Sequence, residues 1–177
     1  MLTQEQLRKL VRYSPVVGAF EKLVGQGTKA SPKRWKLLGK SNADNSYIYL
    51  MIRGKRYQAH RLAWLYMHGE FPEHEIDHID GDRTNNAISN LRKATHAQNA
   101  ANAQMSKKNS SGIKGVSWSK AAKKWVARII TNGEVAFNAY FKNIEDARSA
   151  IEAKRIELHG EFANNGKHRY KIEEELA

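Results

Sequence analysis

From Met105 to Gly112 every residue is Met, Ser, Lys, Asn or Gly. Such a composition buries little apolar surface and reads as a flexible linker. This tract constrains the fold most, because it divides 177 residues into two small units in place of one ordinary domain. The expected boundaries are a first domain over 1–104, a linker over 105–112, a second domain over 113–166 and a charged tail over 167–177. A hydrophobic content of 41% suffices for folded cores. Cores this small need support, yet the chain has no cysteine, so neither disulfides nor thiolate zinc sites can supply it. A reducing, intracellular setting is expected. No apolar run approaches membrane-spanning length, and Met1 to Leu10 lacks the long apolar stretch of a signal peptide, so no membrane partner is expected.

The net charge of +12 comes from 30 Lys and Arg against 18 Asp and Glu. An excess of this size bears on partners, and nucleic acid is the leading one. It is also concentrated: from Ile113 to Ile130 the chain carries Lys114, Lys120, Lys123, Lys124 and Arg128 without one acid. That is a local footprint for phosphates.

Local signals place the elements. Thr3 with Gln6 has the form of a capping box and predicts a helix from about Gln4 to Tyr13. Gly25 to Pro32 and Ser41 to Ser46 read as loops. Tyr47 to Arg53 and Arg56 to Ala59 form the arms of a predicted hairpin about Gly54-Lys55. From His60 to His68 the period changes to helical, with Leu62, Leu65 and Tyr66 on one face and Gly69 as the stop. A further helix runs from Thr95 to about Ala103. Beyond the linker, Lys114 to Trp118, Lys124 to Ile130 and Val135 to Phe141 read as strands. Asn143 then caps a helix with an apolar stripe of Ala147, Ala150, Ile151 and Leu158, stopped by Gly160.

The run Glu75-Ile76-Asp77-His78-Ile79-Asp80-Gly81-Asp82 packs acids around one histidine. Asn85-Asn86, Ile88-Ser89-Asn90-Leu91-Arg92 and His96 to Asn99 follow it. With the upstream stretches Gly54-Lys55-Arg56-Tyr57 and Ala59-His60-Arg61-Leu62-Ala63-Trp64, this resembles the HNH endonuclease family in its phage-type form. The signature is Asp77-His78, Asn90 and Asn99, and the resemblance spans roughly Thr3 to Asn102. It implies a two-stranded hairpin and a helix around one metal, with Asn90 holding the loop or the histidine. It also implies products with 5′-phosphate and 3′-hydroxyl ends.

Phosphodiester hydrolysis needs a base for water and a Lewis acid for developing charge. His78 suits the first role, because an imidazole is neutral near working pH. Asp77 and the side-chain oxygen of Asn99 are hard ligands that favour magnesium or manganese. His96 is the rival second ligand, one helical turn earlier; the family spacing points to Asn99. Asp80 and Asp82 are read as turn formers. His60 is read as a packing or capping residue.

The second half resembles the plant-type APETALA/ethylene-response-factor DNA-binding domain over roughly Ile113 to Asn165. The resemblance rests on Ser111-Gly112-Ile113-Lys114-Gly115-Val116, Lys124 to Ile129, Tyr140-Phe141 and His159-Gly160. It implies a three-stranded sheet, backed by one helix, that enters the DNA major groove. Lys114 and Arg128 then fall at DNA-facing positions, while Ser117, Ile130 and Val135 stand where that family usually carries arginine. Along the second strand, Trp125, Ala127 and Ile129 should pack on the helix, with Val126, Arg128 and Ile130 on the other side. Trp118 is expected to be partly exposed near DNA.

The expected fold class is therefore α+β: an HNH ββα-metal nuclease module plus a small three-stranded antiparallel sheet packed on one helix. The expected activity is homing-type cleavage of double-stranded DNA by a monomer, with His78 and Asn90 catalytic, Asp77 and Asn99 on a divalent metal, and Lys114, Trp118, Lys120, Lys123, Lys124 and Arg128 on DNA. A catalytically silent DNA-binding regulator and a nonspecific or restriction-type nuclease are the rival readings.

Overall fold

A computed structural model describes residues 1–39, 47–106 and 108–166. The loop expected over Ser41 to Ser46 and the tail over 167–177 lie outside them. The chain divides into two compact units, Met1–Lys93 and Ala94–Ala177. The division falls before the helix of residues 96–102, upstream of the polar tract 105–112.

The first unit begins with α1 (Gln4–Leu10). The Thr3 side chain accepts from the Gln6 N–H, and the Gln6 side chain accepts from the Thr3 N–H, closing the capping box. A three-stranded antiparallel sheet follows, in the order β1 (Arg12–Ser14), β2 (Ala19–Val24), β3 (Arg34–Leu38). The sequence gives little sign of it, since β3 alternates weakly and is exposed through most of its length. The hairpin β4 (Tyr49–Ile52) and β5 (Lys55–Gln58) turns at Arg53 and Gly54, both with positive φ. This is the turn whose twist matches that of paired strands. α2 (Ala59–His68) buries Leu62, Ala63 and Leu65 and ends at Gly69, whose φ is 91°. With Leu7, Val11, Tyr13, Phe20, Leu50 and Ile76 these side chains form one core. A second hairpin, β6 (Glu75–His78) with β7 (Leu91–Ala94), closes the unit.

The second unit holds α3 (His96–Asn102), capped by Thr95 and Gln98. Its sheet has the order β10 (Glu134–Phe141), β9 (Lys124–Thr131), β8 (Val116–Ser119). Asn132 and Gly133, with φ of 54° and 83°, make the β9–β10 turn. α4 (Ile144–His159), capped by Asn143, lies on one sheet face. Ile113, Val116, Ala127, Ile129, Ala147 and Ile151 are the core, with Trp125, Phe137 and Phe141 packed against it. Gly115 fits only as glycine, because a Cβ there would come within 2.7 Å of Ile151 Cδ1 and 2.8 Å of the Arg128 carbonyl oxygen.

Three expectations need correction. The helix expected from Gln4 to Tyr13 ends at Leu10, because Val11 turns extended and Arg12–Ser14 pairs with β2 as a strand. Leu158 is 39% exposed and leaves the apolar stripe, which continues from Ala147 and Ile151 to the buried Arg155. That guanidinium is buried because it donates to the Lys114 carbonyl oxygen at 2.7 Å and to Asn165 Oδ1. Val126, expected on the outer face, is 9% exposed and therefore covered as well.

Candidate active site

β6 ends on Asp77 and His78, both buried, and the chain then turns through a polar loop before returning as β7. The loop is held by side chains acting as backbone substitutes. Asp80 accepts from the Asp82 N–H at 2.7 Å and from Asn85 Nδ2 at 2.7 Å. Asp82 accepts from the Thr84 N–H and hydroxyl at 2.8 and 2.7 Å. Both acids are thus turn formers. Asn90 Oδ1 accepts from the Asp80 N–H at 3.1 Å, and its Nδ2 donates to the Asn85 carbonyl at 2.9 Å. Asn90 therefore holds the two ends of the loop together.

The side chain that meets the histidine is Asn86. His78 Nε2 lies 3.2 Å from Asn86 Oδ1, and Asn86 Nδ2 donates to the Thr84 carbonyl at 3.0 Å. The second bond fixes which way the amide faces, so Nε2 carries the proton and donates to Oδ1. In the neutral ring Nδ1 then holds the lone pair. Burial pushes the His78 pKa down, against the Asn86 bond and the charges of Asp80, Asp77 and Asp82, which push it up. The ring is neutral and oriented, as a proton acceptor must be.

Asn86 is itself fully buried and braced from the N-terminal sheet. Its carbonyl accepts from the Tyr13 hydroxyl at 2.6 Å, and the Ile88 N–H donates to the Pro15 carbonyl at 2.9 Å. Gly18, at φ 73°, lies so close that an added Cβ would come within 2.2 Å of the Ala87 nitrogen. On the other side of His78 stand His60 and Tyr47, at ring-centroid distances of 5.1 and 6.0 Å. His60 is 4% exposed and its Nδ1 has no hydrogen-bond partner among the described residues. Its pKa is pushed down to about 3 by burial, then by His78 and Arg61.

Asp77 is fixed by Arg92 on the paired strand, whose Nε donates to Oδ2 at 2.9 Å and whose Nη2 lies 2.8 Å from the same oxygen. Among the described residues no three His, Asp or Glu side chains converge as a self-sufficient metal centre requires. Asp77 offers one carboxylate, an oxygen donor of the kind a hard divalent ion takes. Asn99 lies on α3 in the second unit, its N–H donating to the Thr95 carbonyl. His96 opens the same helix.

The expected DNA residues differ in their surroundings. Lys114 Nζ donates to the carbonyls of Ala101, Ala103 and Asn164, two of these bonds at 2.8 and 3.1 Å. Its pKa is lowered to about 8 by burial and by Arg155. Lys120 and Lys123 are exposed between β8 and β9, and Lys124 is half-buried. Arg128 is exposed on the face away from α4, where its Nε donates to Asn138 Oδ1 at 3.2 Å. Trp118 is 48% exposed but pairs edge-on with Trp125, ring centroids 5.2 Å apart, and so belongs to the helix side of the sheet.

Asn86 and Arg92 escaped the sequence reading as site residues. Arg92 was within reach, since an arginine on the strand paired with Asp77 can meet it across the hairpin. Asn86 was not, because its role depends on the brace from Tyr13 and Gly18.

A buried, oriented histidine thus stands beside a carboxylate at the end of a short hairpin with a polar loop. A family model described as HNH endonuclease matches residues 57–101, which contain that hairpin and all but the last residue of α3. Protein 3.8 of Escherichia phage T7 is 37% identical over 105 residues, covering 59% of this chain and 86% of that protein. An uncharacterized HNH endonuclease of Acanthamoeba polyphaga mimivirus is 34% identical over 153 residues, covering 78% of this chain and 75% of that one. No solved structure matches the chain. The chain belongs to the HNH endonuclease family, and it is a nuclease.

Proposed function

We propose that this chain is a homing-type DNA endonuclease that hydrolyses phosphodiester bonds of double-stranded DNA at preferred sites, using one divalent ion, magnesium or manganese. The observation that carries the reading is the buried His78, whose Nε2 donates to Asn86 Oδ1 and whose Nδ1 holds the lone pair. Nδ1 takes a proton from water as the oxygen bonds to phosphorus and the P–O3′ bond breaks, the departing 3′-oxygen taking a proton from solvent, which leaves 5′-phosphate and 3′-hydroxyl ends. Asp77 and Asn99 would hold the ion, with Arg92 fixing Asp77. The ion supplies Lewis-acid stabilisation of charge on the phosphate oxygens. Asn90 keeps the loop closed so that Asn86 meets the ring.

The nuclease module is proposed to include α3, since the family match runs to residue 101. The sheet module after it positions DNA through Lys120, Lys123, Lys124 and Arg128, with Trp118 at its margin. Lys114 contributes charge, its ammonium being committed to carbonyls. A monomer with one such centre cuts one strand at a time.

His78→Ala tests the reading. Loss of a general base costs about 10² to 10⁴ in rate, so single-turnover cleavage should fall to near background while a gel shift on the same DNA changes little. Unimpaired cutting would refute the role of His78. Full activity in a chelator would refute the metal, and cuts spread evenly over a genome-sized substrate would refute site preference.

A further inference from the structure

The second unit contains a cavity of about 410 Å³ that the proposed hydrolytic centre does not use. Its walls are α3, the end of β9 with the Asn132-Gly133 turn, and the C-terminal part of α4. It forms where the sheet is incomplete: β8 pairs with β9 only from Lys124 to Ala127, so the edge from Ile129 to Thr131 has no strand on that side.

The chemistry of the lining is one-sided. His96, Lys114, Arg128, Arg155 and His159 all border the cavity, and among the described residues no Asp or Glu does, although Glu152 acts on Arg155. Gathering basic side chains around a partly desolvated space disfavours their charged forms. Lys114 is lowered by burial and by Arg155, while His159 is lowered by burial, Arg155 and Lys114. Protein carbonyls and amides satisfy Lys114 and anchor Arg155, but they leave the net charge in place. The His159 imidazole, at the end of α4, makes no hydrogen bond among the described residues. Arg128 turns its guanidinium to the sheet face away from α4, where Nε donates to Asn138 Oδ1, so it supplies no donor to the cavity. Thr131 also borders the cavity, and its buried hydroxyl oxygen has no partner among the described residues.

We infer that this cavity is a phosphate-binding site, taking a phosphate group in the field of Lys114 and Arg155 with His159 as donor. A backbone phosphate of bound DNA is one source and free inorganic phosphate the other. Only the DNA source rests on the proposed function, because binding of the free ion does not require the chain to cut or hold DNA.

The test uses the full chain and the imidazole resonances of His159 in NMR. Adding inorganic phosphate at constant ionic strength should shift them saturably, with the His159 pKa rising as the anion enters. His159→Gln, outside the core, should weaken DNA binding and reduce the log-log salt slope by up to about 0.9, the loss of one phosphate contact. If a duplex in chelator displaces phosphate from His159, the ligand is DNA backbone; if phosphate binds and the duplex leaves it in place, the ligand is the free ion. A His159 resonance indifferent to phosphate, or shifted equally by chloride at the same ionic strength, overturns the site even if the chain proves to be an active nuclease.

Discussion

At the scale of single residues, His78 depends on Asn86 for its tautomer. Asn86→Ala removes the acceptor for Nε2–H, so the ring can place its proton on Nδ1 and lose the lone pair needed for water. We expect single-turnover cleavage about 10- to 100-fold slower, within the range of a misplaced base, with DNA affinity retained. An unchanged rate would show that another group sets the tautomer. His60 gives a prediction about pH. Its folded pKa of about 3 lies below the unfolded value near 6.5, so between these values the unfolded chain binds more protons. Stability is therefore complete above pH 6.5 and falls as pH drops toward 3, by at most about 1.4 kcal/mol per pH unit from this group. His78, lowered as well, adds in the same direction. His60→Phe keeps a ring against Tyr47 and His78 but cannot titrate, so its melting temperature should lose less between pH 7 and pH 4. Parallel curves for the two proteins would clear His60 of the effect.

At the scale of elements, the N-terminal sheet acts as a brace for the active-site loop. The turn before β2 brings Gly18 against Asn86 and Ala87, and β1 supplies Tyr13. Gly18→Ala combines a left-handed backbone, costing about 1–2 kcal/mol, with a contact that the loop backbone must yield to. We expect a melting temperature at least about 5 °C lower, on the scale of about 4–8 °C per kcal/mol for a unit of this size, and a cleavage loss that persists at temperatures where the variant is folded. Normal cleavage in a folded Gly18→Ala protein would mean that the brace is dispensable. The two basic residues expected to face DNA should also separate. Lys114→Met removes three bonds to carbonyls and should lower the melting temperature while leaving most of the salt slope intact. Arg128→Gln should do the opposite. Identical behaviour of the pair would contradict the assignment of Lys114 to structure.

At the scale of the whole molecule, α3 ties the two proposed functions together. It carries Asn99, yet its last carbonyls are held by Lys114, and Asn164 Nδ2 donates to the Asn102 carbonyl at 2.8 Å. A chain ending before Ile113 would lose all of these contacts. We expect it to cleave more slowly even when enough protein is added to saturate the DNA, and to need a higher magnesium concentration for half-maximal rate. Saturated cleavage at the full-length rate, with the same magnesium requirement, would show that the second module serves binding alone.

The sequence by itself determined the features that depend on neighbouring residues. The Thr3 capping box, the stops at Gly69 and Gly160, the Asn132-Gly133 turn and the Asn143 cap were legible because each is a local bargain between a side chain and the adjacent backbone. The Asp77-His78 pair and the Asn-rich loop were legible as chemistry for the same reason, being contiguous in the chain. Only the tertiary structure decided which asparagine meets His78, because that choice rests on Tyr13 and Gly18, more than 60 residues upstream in the chain. It alone assigned Lys114 to the carbonyls of α3 and Asn164, and buried Arg155 where an apolar stripe was expected. A charged side chain carries the same charge on a DNA-facing surface and inside a hydrogen-bonded joint; what differs is the set of acceptors around it, and those are brought together only when distant segments pack.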